Sequence, residues 1–398
     1  MNKRVLFIAY TSLTNPIIWS QGIPYLRKIA ENGWQVFLLT FERKGVSFEF
    51  LSKNKLGKIK WLFLNHWPWL IFPSLLDIIR AVFYCFYLIK KEKIKIVHAR
   101  SYLPGLIACW LKKLTGIRFI FDPRGLVVEE EIMSGHWQKN SFFYKIAKFF
   151  EKKMYFLADV IVVTRESFKN YLAENFFSGK DDKIKVIPIA VETEKFQNSL
   201  SVPPIIKNLK DEKKIILVYT GAIEVWHSVD EMADFFLVLK KIIPNFHFLI
   251  LTYQKKKAEE ILSRKFLEKN DYTILKIEPN EVPTYLKNSD LGIVFIKSVF
   301  PKNIASMPIK FFEYLAAGLP VVVNSGISEI EKMVIEQKLG VVINNFNHQS
   351  YQKAVEDLIA LLAERKRIEK EAKRIVAESY NLNLAASKYE EIYQPLIG

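Results

Sequence analysis

The chain has 398 residues, of which half are hydrophobic and a quarter are charged, a composition that fits two globular domains and excludes a non-globular class. It has only two cysteines, Cys85 and Cys109, which excludes a disulfide framework and indicates buried apolar residues in a reducing compartment. Most of the net charge of +16 lies in residues 1–200, where 31 Lys and Arg face 17 Asp and Glu, so an anionic partner is expected there.

The first half of the chain alternates strands and helices, a pattern typical of a parallel sheet with helices on both faces. The apolar stretch that follows Met1 is too short for a signal peptide and predicts the first strand. The predicted strands are Arg4–Tyr10, Gln35–Thr40, Ile94–Ala99, Arg118–Phe121, Val160–Thr164 and Lys185–Pro188. The predicted helices are Gly22–Asn32, Leu75–Lys90, Pro104–Leu114, Phe142–Leu157 and Ser167–Glu174.

The interval Trp61–Lys91 combines three tryptophans and several other aromatic residues with a terminal lysine pair. Asp77 and Arg80 interrupt it, which argues against a membrane-spanning helix. Two interpretations remain: a segment that lies in a membrane interface, where Trp and Tyr are preferred, or a long core helix of the first domain. Nucleic acid would also suit the basic charge, but the sequence contains no nucleic-acid-binding motif.

The second half begins after a proline-containing stretch, Gln197–Asp211, that is typical of a linker. A second alternating series follows, with predicted strands at Ile215–Thr220, His247–Leu251, Tyr272–Lys276, Leu291–Phe295, Pro320–Asn324 and Gly340–Ile343. Predicted helices separate these strands, and Tyr351–Ser379 and Leu382–Leu396 are the last. The predicted organisation is an N-terminal domain (1–196), a linker (197–211), a C-terminal domain (212–379) and a final helix (380–398).

The most informative segment is SMPIKFFEYLAAGLPVVV, Ser306–Val323. Pro308 suits the first position of a helix, and Gly318 suits its end. A helix N-terminus is a ready anion site, and Lys310 and Glu313, three residues apart, share one helix face. An ammonium beside a phosphate and a carboxylate beside a ribose would form half of a nucleotide-sugar site, whereas the alternative is a solvated ion pair of little energetic value.

This segment, SxPxKxxEYxAxGxPVV, resembles the donor-site signature of the retaining glycosyltransferases of family 4, which have the GT-B fold. The resemblance implies two facing Rossmann-like, doubly wound parallel-sheet domains and a C-terminal helix that crosses back onto the first domain. It also implies that Glu313 binds both ribose hydroxyls and that the diphosphate is held by Gly221, Lys310 and the helix mouth of Ser306, Met307 and Pro308. No metal and no cofactor are implied, because the nucleotide-sugar is a substrate.

The sequence departs from the family pattern at four positions. The first loop keeps a single glycine, Gly22, where relatives often have two, and this glycine is either a donor or acceptor contact or an ordinary turn residue. Ala222 and His227 stand where relatives usually have the cations for the diphosphate, so we expect His227, protonated by the nearby phosphates, to supply that charge. Ala305 stands where a first glutamate usually contacts the sugar hydroxyls.

The segment IRFIFDPRGLVVEEE resembles a DxRG variant of the family, with acidic residues a few positions further on. Arg124 occupies the position of a histidine that lies beneath the donor sugar in many relatives. It is always charged, so it is expected to hold a phosphate or hydroxyl, or to form a fixed pair with Asp122. The candidates for receiving the acceptor proton are Asp122, Glu129 and Glu130, and the sequence does not choose among them.

The predicted function is therefore a metal-independent, retaining, hexosyl-type glycosyltransferase that moves a sugar from a nucleotide-sugar to a saccharide acceptor. The acceptor is expected to be lipid-linked or a surface polysaccharide. We expect a cytoplasmic protein, peripheral at the inner face of the plasma membrane, which it contacts through its basic, aromatic N-terminal domain. The alternatives are a non-catalytic subunit of the same fold that binds nucleotide-sugar or acts as a scaffold, and a sugar-nucleotide 2-epimerase.

Overall fold

The computed structural model describes residues 3–42, 56–66, 73–197, 201–224 and 226–398. The chain divides into two compact units: the first consists of Met1–Ile189 and Leu382–Gly398, and the second of Ala190–Asn381.

The first unit is built on a seven-stranded parallel sheet with the order β3-β2-β1-β4-β5-β6-β7. Its strands are β1 (Arg4–Ala9), β2 (Gln35–Glu42), β3 (Lys60–Asn65), β4 (Ile96–Arg100), β5 (Arg118–Asp122), β6 (Val160–Val163) and β7 (Ile184–Val186). The central strands are apolar runs buried on both sides, as expected of a parallel sheet covered by helices. The edge strand β3 was not predicted from the sequence, because its half-exposed KWLFLN run merges with the aromatic interval that follows it.

Helices cover this sheet. They are α1 (Pro16–Gln21), α2 (Ile23–Glu31), α3 (Pro73–Lys91), α4 (Tyr102–Thr115), α5 (Val127–Met133), α6 (Phe142–Leu157), α7 (Glu166–Phe176) and, from the C-terminus, α17 (Leu382–Tyr393). Helix α4 packs on β4 and β5 and lies between α3 and α6. The C-terminal helix α17 packs on α2, so the end of the chain belongs to the first unit.

The second unit contains a six-stranded parallel sheet with the order β10-β9-β8-β11-β12-β13. Its strands are β8 (Ile215–Thr220), β9 (Phe246–Leu251), β10 (Tyr272–Leu275), β11 (Leu291–Val294), β12 (Val321–Asn324) and β13 (Gly340–Ile343). Its helices are α8 (Pro204–Asp211), α9 (Val229–Ile242), α10 (Lys255–Arg264), α11 (Val282–Lys287), α12 (Lys302–Ala305), α13 (Ile309–Ala317), α14 (Ser328–Glu336), α15 (His348–Ala363) and α16 (Arg365–Ser379). The core lies between the sheet and these helices, α9 and α15 among them.

The boundary between the units lies earlier than the sequence suggests. Residues 204–211, which read as a linker, form helix α8, and the chain passes to the second unit after Ile189. The physical reason is that the intervening residues pack there: the Val191 N–H donates to the Tyr380 carbonyl oxygen at 2.8 Å, and Phe196 is buried. The predicted helix Tyr351–Ser379 is in fact two helices, with a break at Glu364.

The predicted fold class, two Rossmann-like α/β domains with parallel sheets, is confirmed. In each sheet the strand order reverses beside the first strand of that unit, between β1 and β4 and between β8 and β11. In open α/β sheets, ligands bind at the carboxyl ends of the strands beside such a reversal. Among the described residues, no helix is long and apolar enough to cross a membrane.

Candidate functional site

The mouth of helix α13 lies in the second unit. The helix begins at Ile309, one residue later than predicted, because Pro308 is the N-cap residue with an extended backbone rather than the first helical residue. Ser306 and Met307 join α12 to α13 and are partly buried. Gly318 ends the helix in the left-handed conformation with φ 80°, as the sequence predicted.

Tyr314 fixes helix α13 against the two strands at the switch point. Its hydroxyl accepts from the Thr220 N–H at 3.0 Å and donates to the Ile293 carbonyl oxygen at 3.3 Å. The ring packs directly on Gly292, where an added Cβ would lie 2.5 Å from a ring carbon. These contacts fix the position of two polar residues on the same helix, Glu313 directly before Tyr314 and Lys310 one turn earlier.

Lys310 is buried rather than solvated. Its Nζ donates to the Tyr219 hydroxyl at 3.0 Å and lies 4.4 Å from the centre of the Tyr219 ring. Burial lowers the pKa of Lys310 to about 7, although the charge of Glu313 acts in the opposite direction. An ammonium group with so few neutralising contacts will gain from an anion brought next to it.

Glu313 lies one turn further along α13 and is half-buried. Burial raises its pKa to about 7, against the opposing influence of Lys310 and of Lys195. Within the described parts of the chain, no group forms a hydrogen bond with this carboxylate, so all its acceptor capacity is left for a ligand. A partly desolvated carboxylate of this kind suits a pair of hydroxyl donors.

Gly221 follows strand β8 and touches the Lys310 ammonium. Its φ of 124° is a conformation that favours glycine, and an added Cβ would lie 2.8 Å from Lys310 Nζ. The next carbonyl, that of Ala222, accepts from the Tyr219 hydroxyl at 2.6 Å and from His227 Nδ1 at 2.7 Å. Tyr219 therefore links the loop to the lysine.

His227 is enclosed beside two lysines. Burial lowers its pKa to about 3, and the nearby charges of Lys310 and Lys302 lower it further. The imidazole is therefore neutral here, with its Nδ1–H donated to Ala222, and the positive charge at this point belongs to the two buried lysines, Lys310 and Lys302. Protonation of His227 by the phosphates of a donor stays a prediction.

The sequence interpretation missed Lys302, whose Nζ lies 4.4 Å from the centre of the Trp226 ring. It also missed Tyr219, and the only available signal for that residue was its position two residues before Gly221. Beside His227 lies a cavity of about 640 Å³, which is lined by Glu224, Ser228, Lys257, Lys297 and other polar residues of the second unit.

A second polar cluster lies in the first unit, at the carboxyl ends of β4 and β5. Asp122 is fully buried, and its Oδ2 lies 3.6 Å from Arg100 Nη1 and 3.7 Å from Arg124 Nη1. Both arginines also donate to the Gln21 side chain, at 3.2 and 2.7 Å. In this geometry Asp122 is the counter-ion of two guanidinium groups, as one of the two predicted alternatives for Arg124 has it.

The cluster contains two guanidinium groups and one carboxylate, and this imbalance affects the pKa values of the arginines. Burial and the neighbouring Arg124 lower the pKa of Arg100 to about 10, so this side chain stays protonated at neutral pH. Burial by itself would lower the pKa of Arg124. The charge of Asp122, helped by two nearby tyrosines, acts in the opposite direction, and the net effect is a raised pKa. The C-terminal helix α17 packs beside this cluster. Its Tyr393 hydroxyl lies 2.7 Å from Nδ1 of His98, which lies two residues before Arg100 on β4.

Glu129 and Glu130 lie on helix α5 and have separate surroundings. Glu129 Oε1 lies 3.2 Å from Lys148 Nζ and accepts from the Tyr144 hydroxyl at 3.4 Å. The Glu130 carboxylate lies against Gly125, where an added Cβ would be 2.5 Å from its Oε1. The structure thus does not bring Asp122, Glu129 and Glu130 together into one acidic group.

Gly22 joins helices α1 and α2 and is buried. Its N–H donates to the Ile18 carbonyl oxygen at 3.0 Å, and an added Cβ would lie 3.0 Å from that oxygen and from the Ile18 side chain. The residue is therefore required at a tight helix junction, and its N–H is already used. Within the described ranges, no three His, Cys, Asp or Glu side chains form a group that could hold a metal ion.

Comparison with known proteins identifies the family. A family model described as Glycosyltransferase Family 4 matches residues 25–195, and one described as Glycosyl transferases group 1 matches residues 205–375. The chain belongs to glycosyltransferase family 4. This family 4 chain is also 26% identical over 180 residues to TuaH of Bacillus subtilis (strain 168), a glycosyltransferase named for teichuronic acid biosynthesis. That match covers 45% of the chain and 43% of TuaH, less than half of either.

Solved structures similar to this family 4 chain share its fold over the whole length. Sucrose-phosphate synthase from Thermosynechococcus elongatus has a TM-score of 0.77 at 15% identity, with 99% of each chain covered. A glycosyltransferase from Rickettsia africae ESF-5 has a TM-score of 0.74 at 17% identity, covering 100% of this chain and 99% of its own. HepE from Anabaena, in complex with UDP and glucose, has a TM-score of 0.71 at 14% identity, covering 99% and 100%.

Proposed function

We propose that the protein transfers a sugar from a nucleotide-sugar donor to a saccharide acceptor, with retention of the anomeric configuration. The observation that carries the proposal is the pair on helix α13: a buried ammonium, Lys310, one turn from a half-buried carboxylate, Glu313, with free acceptor capacity. The two charges are spaced for the diphosphate and the ribose of one donor molecule. Family membership supports the same assignment.

The diphosphate would lie at the mouth of α13. Lys310 and Lys302 are buried cations there, and the N-terminus is the positive end of the helix dipole. Gly221 has no Cβ, so a phosphate oxygen could approach the Lys310 ammonium beside it, while its own N–H already donates to the Leu251 carbonyl oxygen at 2.9 Å. A bound diphosphate would also raise the pKa of His227 and recruit Nε2 as a further donor.

The ribose would lie over Glu313, whose carboxylate would accept hydrogen bonds from both hydroxyls. Exchanging Glu313 for Gln keeps the size of the side chain but removes its charge, and we expect donor binding to weaken by about 1.5–3 kcal/mol. Isothermal titration with nucleoside diphosphates measures this loss, with the surface variant Glu356→Gln as the control. Equal affinity in Glu313→Gln and in the unsubstituted protein would contradict the ribose role.

The chemistry depends on positioning and charge stabilisation. The diphosphate leaves once its charge is held by the lysines, and the C1–O bond loosens toward an oxocarbenium ion. The acceptor hydroxyl enters on the face that the phosphate leaves, and the departing phosphate takes its proton. This route requires neither a protein nucleophile nor a metal, because the departing diphosphate itself accepts the proton.

The proposed acceptor is a lipid-linked or growing surface saccharide, in polysaccharide biosynthesis at the cytoplasmic face of the plasma membrane. TuaH is named for teichuronic acid biosynthesis, and HepE was solved with UDP and glucose, so UDP-glucose is the first donor to test. The excess of basic residues in positions 1–200 would favour an anionic membrane surface.

A second candidate is a non-catalytic subunit that binds nucleotide-sugar. The residues that favour it are Ala222 and Ala305, which replace a cation and a carboxylate of the family pattern. One assay separates the two: the full chain is mixed with a panel of nucleotide-sugars, with and without membrane lipid extract and with EDTA in parallel. Lipid-dependent, EDTA-resistant release of nucleoside diphosphate supports transfer, whereas binding without turnover supports the subunit.

A further inference from the structure

One surface of the first unit carries an unusual number of exposed apolar side chains. Among the described residues, 25 large hydrophobic side chains are exposed, and 14 of them lie on helices α3, α4 and α6. We call this surface the aromatic–basic face. Its apolar members are Leu75, Leu76, Ile79, Phe83, Phe86 and Tyr87 on α3, Trp110 and Leu114 on α4, and Phe142, Phe143, Ile146, Phe149, Phe150 and Phe156 on α6.

These three helices are neighbours in one layer, since α4 packs against both α3 and α6. Each helix has a separate buried side that already serves the core; on α3 this side includes Ala81, Cys85 and Leu88. The outward residues are therefore additional to what folding requires, with Phe83 and Phe142 each 73% exposed. A contiguous apolar patch of this kind marks an interaction surface.

The net charge of the face is strongly positive. The three helices carry nine Lys and Arg residues and only two acids, Asp77 and Glu151, and both acids are buried. Three of the nine are paired with carboxylates: Arg80 with Asp77, Lys112 with Asp159, and Lys148 with Glu129 and Glu151. The other six, all lysines, have no carboxylate within 4 Å among the described residues. Two copies of such a face would repel each other, which argues against a dimer through this surface.

Lysines and aromatic rings alternate closely across the face. Lys153 Nζ lies 4.2 Å from the centre of the Phe149 ring, Lys91 Nζ lies 5.5 Å from the Tyr87 ring, and Lys113 Nζ lies 5.6 Å from the Trp110 ring. An arrangement of this kind suits a bilayer interface, where rings can enter the acyl boundary while ammonium groups meet the phosphates above it. Exposed helices of the second unit differ: on α16, Lys373 and Arg374 are paired with neighbouring glutamates.

We propose that the aromatic–basic face docks the protein on an anionic lipid bilayer, with α6 and α3 lying in the interface. The sequence interpretation placed this contact in the interval Trp61–Lys91, and helix α6 was not part of it. The inference rests on the proposed function for its purpose, which is to bring the first unit to a lipid-linked acceptor. The docking itself needs neither donor nor acceptor and is measured without them.

The test is flotation of the full chain with vesicles of phosphatidylcholine alone or mixed with phosphatidylglycerol, at low and high salt. Two variants alter the face: Phe143→Ala with Phe149→Ala, and Lys145→Glu with Lys153→Glu. Their matched controls lie on exposed positions of the second unit: Phe266→Ala, and Lys366→Glu with Lys370→Glu. Circular dichroism and the thermal midpoint report whether each variant is folded.

We expect wild type to bind the phosphatidylglycerol vesicles and to be released by salt. The aromatic variant should lose at least roughly tenfold in partitioning, and the charge variant at least about 25-fold. The controls should retain binding. Absence of binding to anionic vesicles at low salt, or equal losses in the controls, would overturn the proposal. A change in oligomeric state with unchanged vesicle binding would do the same and would assign the face to a protein partner.

The outcome is separable from that of the proposed function. Nucleoside diphosphate affinity, measured in solution, depends on helix α13 and should be the same in the face variants as in wild type. If the protein binds vesicles but does not turn over any nucleotide-sugar, the proposed function is wrong and the docking proposal is supported.

Discussion

Exchanging Lys310 for Met is expected to stabilise the protein while weakening donor binding. Methionine has a similar length but no charge, so the change removes the buried ammonium beside Tyr219 and leaves an apolar side chain that fits the site. If Lys310 served folding, the protein would lose stability on this exchange. If Lys310 serves an anionic ligand, the protein is expected to gain stability.

The magnitude follows from the pKa. Burial lowers the pKa of Lys310 from 10.5 to about 7, which corresponds to about 5 kcal/mol against the ionised form at low pH. The lost hydrogen bond to the Tyr219 hydroxyl offsets about 1.5–3 kcal/mol of this. At pH 7 half of the Lys310 side chains are already neutral, so the cost there is about 4.4 kcal/mol and the net gain about 1.5–3 kcal/mol. The affinity for a nucleoside diphosphate should fall by about 10-fold or more.

The pH dependence gives a second signature. The native pKa lies below the unfolded value, so the unfolded chain binds more protons between about pH 7 and 10.5 and wild-type stability rises with pH across that window. The Met variant lacks this slope. Its advantage should be largest at and below pH 7 and should reverse near pH 10, where the lost hydrogen bond outweighs the small remaining cost of the charge.

The assay is thermal unfolding of the full chain at pH 7 and near pH 10, together with isothermal titration with UDP at pH 7. Lys366→Met, at an exposed position on α16, is the control for loss of one lysine. A lower thermal midpoint of Lys310→Met than of wild type at pH 7 would refute the reasoning about burial. Unchanged UDP affinity would refute the role in donor binding.

Three further outcomes are expected. Gly221→Ala places a Cβ 2.8 Å from Lys310 Nζ on a strained backbone and should lower UDP affinity about tenfold; titration with equal affinity would contradict this. The raised pKa of Glu313 makes wild type lose stability as pH rises from 4.5 to about 7, and Glu313→Gln should remove that loss. An equal change in thermal midpoint between pH 5 and 7 in wild type and in Glu313→Gln would contradict this. Asp122→Asn leaves two buried guanidinium groups without a carboxylate and should cost about 3–5 kcal/mol; an unchanged urea midpoint would exclude the pairing as a stabilising one.

Much of the donor-side geometry was accessible from the sequence because it is local. The helix end at Gly318 and the shared face of Lys310 and Glu313 follow from the periodicity of one short segment. The state of His227 was not accessible, because its neutral form results from burial and from Lys310 and Lys302, which are distant in sequence. Strand β3 escaped prediction because a half-exposed edge strand has no continuous apolar run.

The sequence by itself determined the two alternating series of strands and helices and the family, since these depend on patterns within short segments. Only the tertiary structure decided which polar residues meet. Arg100 and Asp122 lie 22 residues apart and become neighbours because β4 and β5 pair in a register that places them side by side. The same holds for the aromatic–basic face: each helix pattern is ordinary alone, but packing on one sheet sets three apolar stripes beside each other, facing outward.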